Sequence, residues 1–217
     1  MKPDYERAAS AAAEILVEYG ISATPITPLP ILKRIPGVLV KTYESLSSDM
    51  SQDRRCVIDT FGEQDAFTAV NVHESGLQYI ITYNQRLSQT IIQRALSREL
   101  GHIVLCHDGS LPEDVRREEA VCFANHLLCP RPLVHAVRSA GITITTDLLG
   151  SLTGCYHHCL SCMQRTPATH VPPELNRAIR VNFSDYITDI VSFYRANAGK
   201  DTSAPADFGT FMDGYEE

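Results

Sequence analysis

The sequence predicts an α+β fold with a small sheet, and two patterns in its central part support this. Strand-like residues at 66–71 and 77–83 flank the turn-forming stretch 74–76, which predicts a β-hairpin. Apolar residues at helical spacing in 89–106 and 113–128 predict two helices directly after the hairpin. We expect the sheet to be mixed or antiparallel.

The residues before the hairpin predict a helix, a connector and two further strands. Helical spacing runs from Asp4 to Tyr19, and Gly20 follows where a left-handed cap would end the helix. The stretch ISATPITPLPILKRIPG is rich in proline and leaves room for a short helix at 29–34 at most. The remaining predictions here are strands at 38–43 and 56–60, and a polar loop at 44–55.

The residues after Pro130 predict short helices, a linker and a tail. A small helical appendage is expected at 131–166, followed by a linker and helix at 167–199 and a disordered acidic tail at 200–217. Within these segments the predicted helices are 131–140, 145–152, 154–165 and 184–198, with Gly141 as a break and Ser184 as a cap.

Composition limits the functional classes. Of 217 residues, 44% are hydrophobic and 21% are charged, as is typical of a globular protein. A net charge of -7 argues against non-specific nucleic-acid binding, because that requires a basic surface. No apolar run is long enough to span a membrane, and no secretory signal pattern is present. We therefore expect a cytoplasmic protein with reduced thiols.

The most informative residues are Arg98–His102, RELGH, in the first of the two central helices. In the zinc-peptidase signature HExxH, two histidines on one helix face hold zinc, and the glutamate acts as general base. Glu99 and His102 stand at the base and second-ligand positions, whereas Arg98 replaces the first histidine. A guanidinium is cationic and has no free lone pair, so it cannot bind zinc. On a continuous helix His107 would point away from His102, and we expect it to be structural.

The surrounding residues resemble the ImmA/IrrE family of metallopeptidases. The resemblance lies in LQYIITYN, RELGHIVLCHDG and EEAVCFANHLLCP, and it extends over roughly residues 5–165. It implies a zincin-like metallopeptidase domain at 1–130, with Glu99 as the base and with His102 and Glu119 as zinc ligands. The appendage after residue 130 resembles the small helix-turn-helix-like region of family members.

The resemblance also implies a function. Family members, often encoded with mobile elements, cleave a helix-turn-helix repressor and so release transcription. This chain would act on such a repressor, and few basic residues in the appendage argue against direct DNA binding. An edge strand beside the active helix would pair with the substrate backbone. Tyr79, Ile81 and Tyr83 are the candidate substrate-binding residues, and a purely structural strand is the alternative.

Two hypotheses for Arg98 remain open. In the favoured one, its guanidinium fills the space of the metal and pairs with Glu119, alone or together with Glu99, so that the protein recognises its partner without cutting it. In the other, zinc is retained by His102, Glu119 and a substitute ligand such as Cys122, and the protein is an active zinc endopeptidase.

A separate cysteine motif has two interpretations. Cys155, Cys159 and Cys162 have the CxxxCxxC spacing that holds a [4Fe-4S] cluster in radical SAM enzymes. The same residues fall on one face of a helical pattern, which a packed helix also requires. We favour the packed helix and keep an Fe–S or zinc site as the alternative.

Overall fold

The computed structural model describes residues 1–51, 53, 55–56, 64–73, 76–154, 166–197 and 215–216. In these residues the protein has nine helices with defined bounds and one three-stranded sheet, which confirms the predicted α+β class. The chain divides into a sheet unit, Thr27–His107, and a helical unit, Met1–Ile26 with Asp108–Glu217. The zincin-like assignment and the domain division after residue 130 stay predictions.

The described residues form nine helices and three strands with defined bounds. In chain order they are α1 (Tyr5–Glu18), α2 (Pro28–Leu32), β1 (Val38–Thr42), α3 (Tyr43–Asp49), β2 (Ala66–His73), β3 (Gly76–Tyr83), α4 (Gln89–Val104), α5 (Glu113–Leu128), α6 (Arg131–Ser139), α7 (Thr146–Thr153), α8 (Pro173–Asn182) and α9 (Ser184–Ala196). The sheet unit contains α2 to α4 with the three strands, and the helical unit contains the other helices.

The sheet has β3 in its centre, parallel to β1 and antiparallel to β2. Tyr79 of β3, for example, pairs with Val38 of β1 on one side and with Val70 of β2 on the other. The predicted hairpin of β2 and β3 is therefore confirmed. Helix α4 packs on both hairpin strands and on α2, with Leu96 and Leu100 fully buried. Ser88 starts α4 by accepting the backbone N–H of Ile91, as an N-cap does.

One prediction in the sheet unit is wrong: the polar residues 44–55 do not form only a loop, because α3 begins directly after β1. Thr42 caps this helix by accepting the backbone N–H of Ser45. The Tyr43 side chain is fully buried, and Lys41 forms an ion pair with Asp49. The cap and the buried Tyr43 ring stabilise this helix although most of its residues are polar. The strand predicted at 56–60 lies outside the described residues except for Cys56, which is helical.

The helical unit is organised around α1, which packs on α5 and α8. Both α1 and α5 match their predictions, and α5 starts after Pro112 with two acidic residues in its first turn. Gly20 has a φ of +61° and ends α1, and Gly141 has a φ of +82° and breaks the chain after α6. No helix among the described residues is long and apolar enough to cross a membrane.

Helix α8 was not predicted, because it lies in the segment that was expected to be a linker. Pro173 is its first residue, which is where proline favours a helix, and Asn176 and Ile179 are buried. Helix α9 confirms the predicted helix, but Ser184 is its first residue and gives no side-chain cap. Gly154, the first residue of the helix predicted at 154–165, ends α7 with a left-handed φ of +68°. The rest of that predicted helix and most of the tail at 200–217 lie outside the described residues, as do Cys155, Cys159 and Cys162.

Candidate functional site

Glu99, the predicted base, is held by the hairpin. Its side chain is 9% exposed, and the Thr68 hydroxyl of β2 donates a 2.6 Å hydrogen bond to Oε2. Burial raises the pKa of Glu99, while the Thr68 hydrogen bond and the charge of Arg98 act in the opposite direction. The net effect is a carboxyl group that holds its proton to higher pH than an exposed glutamate does.

Arg98, at the replaced ligand position, has an acidic partner within the sheet unit. Its Nη2 lies 3.6 Å from Oδ2 of Asp65, and both side chains are partly exposed. Asp65 is fixed at the base of the hairpin, because its backbone carbonyl accepts the N–H of Asn84 at 2.9 Å. Asp65 was not predicted as a partner of Arg98. The predicted pair of Arg98 with Glu119 joins residues of different units and stays a prediction.

His102 and His107 form a contact that contradicts the sequence analysis. Their Nδ1 atoms are 2.8 Å apart, so one ring donates a hydrogen bond to the other. The cause lies in the end of α4, where Cys106 adopts a left-handed φ of +50°. The N–H of His107 then bonds to the carbonyl of His102, and that of Cys106 to Ile103, which is the Schellman motif. The helix stops before His107, and the turn brings its ring back.

Glu119 and Cys122, the candidate ligands on α5, face α1. Glu119 is 3% exposed and accepts the backbone N–H of Asp4 at 2.8 Å. The Cys122 thiol lies 3.6 Å from the carbonyl of Tyr5, and burial raises the pKa of this thiol to about 12. Zinc binds a cysteine as the thiolate, and the buried position of Cys122 favours the protonated thiol, which does not bind metal.

The predicted metal ligands are divided between the two units. His102 belongs to the sheet unit, and Glu119 and Cys122 belong to the helical unit. Within the part of the chain that the structure describes, no three side chains of His, Cys, Asp or Glu are grouped to hold a metal ion. The complete ligand set stays a prediction.

The predicted substrate strand requires a correction. β3 is the central strand, so its backbone is paired on both sides and cannot accept a further strand. Ile81 is also fully buried, which makes it a core residue and not a substrate contact. Tyr79 and Tyr83 are half-buried on the same strand. In the described sheet the edge strand beside Glu99 is β2, and the order of strands was not readable from the sequence.

A buried polar cluster in the helical unit was also missed. Arg131 is 3% exposed, and its Nη1 donates to the carbonyl of Thr169 at 2.8 Å. Its Nη2 lies 3.4 Å from Nε2 of His126. Burial, with a contribution from Arg131, holds the pKa of His126 well below its usual range, so the ring is neutral. Since a guanidinium can only donate, Nε2 of His126 accepts and its proton is on Nδ1.

The fold and the site define an α+β protein in which a helix with the sequence RELGH lies beside a small mixed sheet. No protein-family model, no curated protein and no solved structure matches the chain. The resemblance to ImmA/IrrE metallopeptidases therefore stays a prediction.

Proposed function

We propose that the chain is a metallopeptidase-like regulatory protein that binds a helix-turn-helix repressor and does not cleave it by zinc-dependent hydrolysis. The proposal depends on one observation: Arg98 stands at the first ligand position, with its guanidinium 3.6 Å from Asp65. A cation at this position repels a metal ion and supplies no lone pair.

The surroundings of Glu99 support a binding role. A general base must reach the proton that it removes, and one of the two oxygens of Glu99 is engaged by Thr68. Arg98 adds a positive charge next to the carboxylate, which opposes the effect of burial on its pKa. Arg98 and Thr68 together thus offset part of the cost of burying this acidic side chain without a metal.

The free edge of the described sheet supports recognition of an extended peptide. β2 is one of its two edge strands, the one that contacts Glu99, and its backbone offers the ladder to which a partner strand can be added. Beyond Thr68 this strand exposes two apolar side chains, Val70 at 54% and Val72 at 75%. Leu77, opposite Val72, is 54% exposed on the same face. An extended repressor segment would cover these side chains.

The second candidate, an active zinc peptidase, is supported by the contact between His102 and His107. If His102 donates from Nδ1 to His107, its Nε2 carries the lone pair that a metal needs. Of the motif's two histidines only His102 is retained, so α4 fits zinc only with ligands from elsewhere, such as Glu119. Zinc would polarise the scissile carbonyl, and Glu99 would hold the proton that is removed from water.

Zinc content tests the two candidates. We expect dialysed full-length protein to contain less than about one-tenth equivalent of zinc, and Arg98→His to bind zinc more tightly, because it restores the missing imidazole. Mass spectrometry of the metal measures both. Arg98→Gln is the matched control, since it removes the charge without adding a metal ligand of comparable strength.

A stoichiometric zinc content in the unaltered protein would overturn the binding role. So would cleavage of a co-expressed helix-turn-helix repressor that is lost in Glu99→Ala. Association with that repressor without cleavage, measured by co-purification, is the expected result.

A further inference from the structure

The segment Tyr215–Glu216 lies on the helical unit, against α6 and α8. The ring of Tyr215 is 4.8 Å from the ring of His135 in α6, with 34° between their planes. The backbone carbonyl of Glu216 accepts a 2.8 Å hydrogen bond from Nδ2 of Asn176 in α8. The contacts of the segment thus include a ring contact of a side chain and a hydrogen bond of the backbone.

The receiving residues are fixed by their own surroundings. Asn176 is 2% exposed, and its Nδ2 also lies 3.4 Å from the carbonyl of Val171. It lines a recess together with Arg131 and His126, whose side chains are buried and contact each other. Because these groups are already ordered, a ligand that binds here loses little free energy to their rearrangement.

The two contacts have different consequences for recognition. A hydrogen bond to a backbone carbonyl is independent of the ligand's side chain at that position, whereas the ring contact selects an aromatic residue. The preferred ligand is therefore a segment with a tyrosine followed by a residue whose backbone carbonyl accepts the hydrogen bond of Asn176.

We propose that His135 and Asn176 form a binding site for peptide segments that contain a tyrosine, with Tyr215–Glu216 as its intramolecular ligand. When this segment is released, a partner's segment of the same chemistry takes its place. The proposal is independent of the proposed function, because its contacts lie on α6 and α8 and not on α4.

Peptide binding to two full-length chains tests the proposal. A fluorescein-labelled peptide of residues 210–217 is titrated with the unaltered chain and with Tyr215→Ala, and anisotropy is recorded. We expect Tyr215→Ala to bind the peptide at least about tenfold more tightly, because in the unaltered chain the tethered segment competes at roughly millimolar effective concentration. Equal affinity of both chains, or no binding to either, overturns the proposal.

Variants of each contact make the test specific. In the Tyr215→Ala chain, His135→Ala is expected to abolish binding and His135→Phe to retain it, because phenylalanine keeps a ring at this position. A peptide with Tyr215→Ala should not bind. A peptide with Glu216→Ala should keep most of its affinity, because Glu216 contributes its backbone carbonyl. Circular dichroism checks that the chains are folded, and binding unaffected by His135→Ala contradicts the proposed site.

Discussion

Helices α4 and α5 are both 16 residues long, and each carries one carboxylate of the predicted site, yet they hold it differently. Glu99 of α4 receives a side-chain hydroxyl from a strand, whereas Glu119 of α5 receives a backbone N–H from the start of α1. The first contact can be removed by mutating its donor, and the second cannot. The contact of Glu119 therefore depends on the backbone position at the start of α1, whereas the contact of Glu99 depends on the side chain of Thr68 in the hairpin.

The two helices also end differently, although a cysteine follows each of them. Cys106 after α4 is left-handed, with a φ of +50°, and turns the chain back toward His102. Cys129 after α5 has a φ of -132° and leads into Pro130. Only the first of these ends places another side chain beside a predicted site residue.

The largest effect on stability is expected for Glu119→Ala, which tests the hydrogen bond between Glu119 of α5 and Asp4 at the start of α1. Loss of the carboxylate leaves the backbone N–H of Asp4 without this acceptor, and a hydrogen bond to a charged group is worth about 2 kcal/mol. Urea unfolding should show a decrease of this size in the free energy of unfolding.

The adjacent Glu118→Ala is the matched control. Glu118 is exposed and binds the hydroxyl of Tyr5, so its loss should cost less than about 1 kcal/mol. If both substitutions lowered the free energy of unfolding equally, the burial of Glu119 would not strengthen its hydrogen bond to Asp4.

A smaller effect is expected for Glu99→Gln, and it depends on pH. Because burial raises the pKa of Glu99 above 4.5, the folded chain retains a proton that the unfolded chain loses. The contribution of Glu99 to stability is fully present below this value and is lost as pH rises through the raised pKa. The free energy of unfolding should therefore fall less between pH 4 and pH 7 in Glu99→Gln than in the unaltered chain. Urea unfolding at the two pH values measures this difference.

Thr68→Val should change the pH dependence in the opposite direction. The Thr68 hydroxyl stabilises the carboxylate, so without it the pKa of Glu99 rises further and the loss of stability extends to higher pH. Identical pH dependence in all three proteins would mean that Glu99 titrates as an exposed residue.

Local signals were sufficient to predict most helices. Serine and proline mark the starts of α4 and α5, and Gly20 and Gly141 mark breaks, because caps and left-handed residues act over a few neighbouring positions. The RELGH motif also predicted correctly that Arg98, Glu99 and His102 would lie in one helix. These features depend on residues close together in sequence.

The partners of the site residues could not be predicted in the same way. Thr68 is 31 positions from Glu99, and Asp4 is 115 positions from Glu119. The central position of β3 depends on its pairing with β1, in which Val38 pairs with Tyr79, 41 positions later, and no spacing rule states that order. The contact of His107 with His102 depends on a left-handed Cys106, and a non-glycine residue rarely adopts this conformation, so no pattern predicted it.

The smallest effect is expected at the ends of the two helices, where Cys106→Gly and Cys129→Gly form a matched pair. A left-handed residue with a side chain costs about 1 to 2 kcal/mol, and glycine removes this cost while adding about 0.5 to 1 kcal/mol of chain entropy. Cys106→Gly should therefore stabilise the protein by about 0.5 to 1 kcal/mol. Cys129 is buried and not left-handed, so Cys129→Gly should only destabilise. If urea unfolding showed both changes to destabilise equally, the turn at Cys106 would not be the strained feature that brings His107 to His102.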